Sequence, residues 1–83
     1  MKAIKFNSKD YFAIIKEPLF AKIDLHDYKG NAQVIGMENL MSLVLLGRNK
    51  YEMIIFNSEI VNFFDKNMKE LDRVTTMKKY MQR

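Results

Sequence analysis

Apolar and polar side chains alternate from Ala21 to Asp24, and this short run constrains the fold more than any other part of the chain. Within FAKIDLHD, the alternate apolar residues as far as Leu25 share one face of an extended strand. DYKGN follows, and its Gly30 and Asn31 tolerate the positive φ angles of a tight reversal. AQVIG then leads back, so the sequence predicts a β-hairpin.

Two segments beside this hairpin are predicted to be helical. KDYFAIIKE follows the cap residues Asn7 and Ser8 and ends before Pro18. Its aromatic and β-branched residues leave a strand as the alternative. MENLMSLVLL is too apolar to be solvated on all sides, and Gly47 ends it. This second helix would carry more apolar side chains than one face can bury.

A third helix is predicted after Asn57 and Ser58, which are good N-cap residues. Apolar residues recur there every three or four positions from Val61 to Val74, as in the buried stripe of a helix. Residues 75–83 lose this pattern, so the C-terminal tail is predicted to fray.

KAIKF alternates and predicts a first strand, and YEMIIF predicts a buried last strand. The resulting order is β-α-β-β-α-β-α in a single domain, residues 1–83. The simplest α+β fold with this order is an open-faced sandwich. It has a four-stranded sheet with all helices on one face.

Residue types that carry catalysis or metal binding are scarce. The chain has no cysteine and one histidine, His26, so it has no disulfide and no thiol nucleophile, and zinc is disfavoured. No serine is paired with a base. No run approaches the roughly 18 apolar residues of a membrane span, and MKAIKFNSKD is unlike a signal peptide. These features predict a non-enzymatic cytoplasmic protein without cofactor or metal, of a composition typical of bacteria or phage.

The predicted element order and two short motifs resemble HPr, the family of histidine-containing phosphocarrier proteins. Members commonly show an alternating strand, a Tyr-Lys/Asn-Gly turn and a helix close to S-I-M-G-V-M-S-L. Here IDLHDYKGNAQVIGMENLMSLVLL is similar, with Tyr28, Lys29 and Gly30 at the turn and LMSL in the helix. The likeness covers roughly residues 20–72 and implies an HPr-like open-faced sandwich.

Two departures from the family pattern bear on function. Phosphate-carrying members have a G-x-H-A-R-P loop after the first strand, whereas this chain has FNSKDYF and no histidine there. The regulatory serine that opens the family's second helix falls at Gly36. The resemblance therefore implies a short, degenerate member that cannot carry phosphate and acts by binding another protein.

The resemblance also implies where such a partner docks. In HPr proteins the exposed apolar side of the second helix binds partner proteins, and methionine side chains suit adaptable surfaces. The corresponding residues here are Met37, Leu40, Met41 and Leu45, and the two methionines are predicted to be exposed. Ordinary core packing is the alternative for all four.

Excess positive charge is confined to the C-terminal segment. Residues 66–83 carry six basic and two acidic residues, whereas residues 1–65 carry eight of each. The six are Lys66, Lys69, Arg73, Lys78, Lys79 and Arg83. They predict either a solvated helix end or a surface that contacts nucleic-acid phosphates without base specificity. In the second case, the alternative function is that of a phage- or plasmid-type accessory protein.

Overall fold

The computed structural model describes residues 12–81, which form seven antiparallel strands in one sheet and one C-terminal helix. The predicted four-stranded sandwich with several helices is therefore wrong. The strands are β1 (Ala13–Ile14), β2 (Phe20–Asp24), β3 (Lys29–Met37), β4 (Met41–Leu46), β5 (Tyr51–Phe56), β6 (Ile60–Phe64) and β7 (Glu70–Leu71). A 3₁₀ turn, Asn57–Glu59, joins β5 to β6, and the helix is α1 (Arg73–Met81).

The connection between β5 and β6 shows that the sheet curls. The strand order of the sheet is β5-β4-β3-β2-β6-β7, and β1 pairs with the same edge of β3 as β2 does. β5 and β6 are therefore four strand positions apart. In a flat sheet they would be separated by about 19 Å across the strands, at about 4.8 Å per strand. The 3₁₀ turn has three residues, and such turns advance about 2 Å per residue. The sheet must therefore close into a partly open barrel.

Interruptions in the strand ladders allow this curl. The pairing of β3 with β4 shifts between Val34 and Gly36, and the pairing of β2 with β6 shifts between Lys22 and Ile23. Such bulges bend a strand and increase its twist. Along the same edge of β3, β1 and β2 are separated by a segment that contains Pro18, which has no N–H to donate to a ladder.

The inner side of the barrel holds the core. The predicted hairpin is confirmed, because β2 pairs with β3, Ala21 and Ile23 are buried, and Lys22 and Asp24 are exposed. Helix α1 adds half-buried side chains that pack against this cluster. The buried cluster comprises Ile15, Leu19, Ala21, Ile23, Ala32, Val34, Met37, Val44, Leu46, Ile55, Ile60 and Phe63.

The helix predicted over MENLMSLVLL is wrong, because this segment forms a turn followed by β4. β4 is a central strand covered on both faces. Val44 belongs to the core cluster, whereas Leu43 is buried on the outer face beside Phe12 and Gly36. A strand buried on both faces loses its alternation, and a short apolar run then has the pattern of a helix.

The other two predicted helices are also wrong. The described part of KDYFAIIKE contains β1, which agrees with the strand alternative. The stripe from Val61 to Val74 runs mostly through β6, a turn and β7. The helix instead occupies the segment that was predicted to fray. Asp72 caps it, because its Oδ2 accepts hydrogen bonds from the amide and hydroxyl of Thr75, both at 2.9 Å. The predicted strand KAIKF lies outside the described residues.

We expect Gly36→Ala to destabilise the protein by about 1–3 kcal/mol, because an added methyl group overpacks the site. A Cβ at Gly36 would lie 2.9 Å from the Cβ of Phe12, which cannot swing away as the end of a long side chain can. At Gly30, the atom nearest to an added Cβ would be the Tyr28 hydroxyl oxygen, at 3.2 Å, so Gly30→Ala is the control and should cost less. Urea unfolding of both variants measures the difference. Equal costs would contradict the packing of Phe12 over Gly36.

Candidate functional site

β5 is the edge strand of the sheet, and within residues 12–81 no strand pairs with its outer edge. The prediction of a strand at YEMIIF is confirmed, but the prediction that it is buried is wrong, because only Ile55 is buried. Four large apolar side chains are exposed: Tyr51 by 65%, Met53 by 37%, Ile54 by 41% and Phe56 by 59%. Edge strands usually carry charged residues (lysine above all), proline or a bulge that prevents further pairing. β5 has no lysine, proline or bulge, and Glu52 is its one charged residue.

Exposed apolar side chains continue from β5 across the outer face of the barrel. Residues paired across antiparallel strands share a face. The register pairs Phe56 with Met41, and it links Ile54 through Leu43 and Gly36 to Ile14, which is 49% exposed. Leu40, in the adjoining turn, is 70% exposed. We define the apolar edge surface as Ile14, Leu40, Met41, Ile54 and Phe56.

The structure divides the four residues predicted to bind a partner. Met37 is fully buried in the core, so the prediction that it is exposed is wrong. Leu40 is exposed and Met41 half-buried, and both belong to the apolar edge surface. Leu45 is half-buried near the other end of β4 and lies apart from them.

The turn that presents Leu40 is fixed by hydrogen bonds on both of its sides. The buried side chain of Asn57 donates to the carbonyl oxygens of Glu38 (3.0 Å) and Asn39 (3.3 Å) and accepts the hydroxyl proton of Ser42. The Glu38 carboxylate accepts the amide protons of Leu40 (3.0 Å) and Met41 (2.8 Å). A surface that is already ordered loses less entropy on binding.

Arg73, one of the predicted nucleic-acid residues, has its partners within the protein. The Arg73 guanidinium donates to the backbone oxygens of Asn57 and Ile60 and lies 5.9 Å from the ring centroid of Phe63. Arg73 thus holds the start of α1 against the 3₁₀ turn. Lys66, Lys69 and Lys78 are exposed, and Arg83 lies outside the described residues.

Lys79, the remaining basic residue of this set, belongs to a cluster that joins α1 to the segment between β1 and β2. Its Nζ lies 3.3 Å from Oε1 of Glu17, and the Tyr80 hydroxyl donates to the same carboxylate. Hydrogen bonds from the Tyr80 hydroxyl, from the backbone of Glu17 and from Lys79 hold the pKa of Glu17 below its usual 4.5. Glu17 in turn raises the pKa of Lys79 above 10.5, and burial raises the pKa of Tyr80.

Glu17→Gln should lower the melting temperature near neutral pH, and the loss should shrink towards both pH extremes. A lowered folded-state pKa means that Glu17 stabilises the fold above about pH 4.5, and this stabilisation is lost as the pH falls through that pKa. The raised pKa of Lys79 adds stability that is lost as the pH rises past about 10.5. Thermal unfolding from pH 2 to pH 11 measures the effect. Glu52→Gln, on β5, is the control, and a pH-independent loss in Glu17→Gln would contradict the ion pair.

The residues 12–81 contain no metal cluster and no membrane-spanning helix. His26 follows β2, and its Nε2 lies 3.8 Å from Oδ1 of Asp27, with both side chains almost fully exposed. No three His, Cys, Asp or Glu side chains in this range are close enough together to hold a metal ion. The helix in this range is too short to cross a membrane.

Sequence reasoning missed Ile54 and Phe56, because YEMIIF has the composition of a buried strand.

The fold that the HPr resemblance implied is contradicted, since Gly36 lies within β3 and not at the start of a helix. Comparisons with protein-family models, curated protein sequences and solved structures found no match to this chain.

Proposed function

We propose that the protein is a non-enzymatic interaction module that binds an extended segment of a partner protein along the free edge of β5. One observation carries the proposal: the edge is unpaired within residues 12–81, while four of its six side chains are large, apolar and exposed. Contiguous apolar surface of this kind typically marks an interaction site. An added strand gains affinity from main-chain hydrogen bonds and specificity from alternate side chains.

The side chains of β5 define the chemistry of the partner segment. Ile54 and Phe56 face outward with Met41 beside them, so alternate positions of the segment should be apolar. Glu52 lies on the same outward face and is the charged residue of β5. A basic side chain opposite Glu52 would contribute to the pairing, since opposite charges across strands stabilise a sheet. The proposed ligand is thus an extended peptide with apolar residues at alternate positions and one basic residue.

The alternative function, nucleic-acid binding by the C-terminal basic residues, has less support. Arg73 donates its hydrogen bonds to backbone oxygens, and Lys79 is paired with Glu17. Both cations would have to leave these partners in order to contact phosphates.

A displayed library of random peptides tests the proposal. Peptides selected on the wild-type protein should show the predicted alternation. They should bind Ile54→Lys and Phe56→Lys at least tenfold more weakly, a loss of about 1.4 kcal/mol or more. Val74→Lys is the matched control, because Val74 is 61% exposed on α1 and belongs neither to β5 nor to the apolar edge surface. Binding to this variant should equal that of the wild type.

Two outcomes would contradict the proposal. One is selection of peptides whose binding survives both β5 substitutions, or falls equally in Val74→Lys. The other is a wild-type dimer that Phe56→Lys converts to a monomer in sedimentation experiments. That result would assign the edge to a second copy of the chain.

A further inference from the structure

A second surface lies on the outer face of β2, β3 and β4, at the end of β4 remote from Met41. It is a shallow pocket of about 510 Å³, within the size range of small-molecule sites. The register places Phe20, Gln33 and Leu45 in one row across the three strands. The β2–β3 turn adds Tyr28, and the β4–β5 turn adds two cations, Arg48 and Lys50.

The side chains of this pocket are of three kinds. Phe20 and Tyr28 are half-buried aromatic residues. Tyr28 packs partly against the core cluster, and its hydroxyl donates to the Asn31 carbonyl at 2.8 Å. Gln33 supplies an amide that can both donate and accept. Arg48 and Lys50 are exposed. None of the lining residues is acidic.

By the strand register, Glu52 carries the carboxylate nearest to this row. It pairs with Leu45 and extends the row onto β5, but it does not line the pocket. Glu52 follows Lys50 by two residues, so its negative charge offsets part of the positive charge of the β4–β5 turn. Arg48 and Lys50 still leave a net positive charge there, which favours an anion at this turn.

We propose that this pocket binds a nucleotide unit, with the base against the aromatic side chains and the phosphate at Arg48 and Lys50. A free anion would make no use of the aromatic face of Phe20, and an apolar ligand would make no use of the two cations. Bases stack on aromatic faces irrespective of sequence, amides pair with base edges, and guanidinium groups bind phosphate. The unit can be a free nucleotide or part of a single strand, because the two share this chemistry.

Charge substitution tests the phosphate position. Thymidine monophosphate and a short fluorescein-labelled oligothymidylate are titrated against the intact 83-residue chain. The double variant Arg48→Gln/Lys50→Gln should bind both probes at least about tenfold more weakly, and its oligonucleotide affinity should depend less on salt. The double variant Lys66→Gln/Lys78→Gln removes the same charge from exposed positions that do not line the pocket and should bind as the wild type does.

Substitution of an aromatic residue tests the base position. Phe20→Leu keeps an apolar side chain but removes the stacking face, so binding should weaken about tenfold. Circular dichroism checks that this variant is folded. As a second measurement that needs no variant, thymidine monophosphate should shift the amide resonances of Leu45 and Gly47 in the wild-type protein. It should leave those of Val74 and Lys78 on α1 unchanged.

Each outcome decides the proposal. Equal affinity per site for both probes identifies a free nucleotide, and much tighter oligonucleotide binding identifies a single strand. Inorganic phosphate that competes as well as thymidine monophosphate, with no effect of Phe20→Leu, would overturn the proposal in favour of an anion site. Equal loss in the Lys66→Gln/Lys78→Gln control would assign binding to the C-terminal segment. Absence of binding by the wild-type protein at millimolar nucleotide would also overturn it.

Discussion

Replacing Met37 by alanine should lower the free energy of unfolding by about 2–5 kcal/mol, whereas Leu40→Ala should change it by less than about 0.5 kcal/mol. Met37 is fully buried in the core, while Leu40 is 70% exposed in the following turn. Truncating a buried methionine leaves a cavity that a close-packed interior fills only in part. Urea unfolding of the two variants measures the contrast, and Leu40→Ala is the matched control.

The comparison also distinguishes the strand from the helix that the sequence pattern suggests. In a helix, positions 37, 40 and 41 share one face, so truncations at 37 and 40 would have similar costs. Similar costs for Met37→Ala and Leu40→Ala would therefore contradict the turn between β3 and β4. A small domain has little stability to lose, so Met37→Ala should be measured at low temperature, well below its melting transition.

Asn57→Ala should destabilise the protein by about 2–4 kcal/mol, because it leaves buried polar groups without partners. The Asn57 amide donates to the Glu38 and Asn39 carbonyls and accepts from the buried Ser42 hydroxyl. These bonds join the β3–β4 turn to the 3₁₀ turn, where the curled sheet closes. The same substitution should therefore also loosen the backbone that presents Leu40.

Asn62→Ala is the matched control for Asn57. The Asn62 amide makes an exposed hydrogen bond to Glu70, at 2.8 Å, so its removal should cost less than about 1 kcal/mol. Chemical denaturation measures both variants. If they lost similar stability, the network around Asn57 would not be holding the two turns together.

Local chemistry made the hairpin predictable, and tertiary context decided the rest. Alternation at β2 and turn residues such as Gly30 act over a few neighbouring positions, so the sequence alone reveals them. The pattern of β4 resembles that of a helix because Leu43 is buried on the outer face, where Phe12, from a different part of the chain, also lies beside Gly36. Its outer face is therefore apolar as well, which removes the period of two.

The candidate site was partly predicted, but from a wrong local structure. Leu40 and Met41 were selected as members of an exposed helix, and they belong to a turn and the start of β4. Ile54 and Phe56 were missed, because β5 becomes an edge strand only through the sheet order, and no local pattern encodes that order. The charge pattern predicts that Arg73 binds nucleic acid, because a charge count cannot show that its guanidinium donates to two backbone oxygens.

The most direct test of the proposed function is amide hydrogen exchange of β5, with and without a peptide selected from the displayed library. Alternate residues of an antiparallel edge strand direct their N–H groups away from the neighbouring strand, so in the free protein these amides exchange rapidly. Phe56 is the exception, because its N–H already donates to Oε1 of Glu59 at 2.9 Å. If the peptide adds as a strand, exchange at those alternate positions between Tyr51 and Phe56 should slow, while exchange on α1 stays unchanged. Peptide binding that leaves these amides unprotected would contradict pairing at the β5 edge.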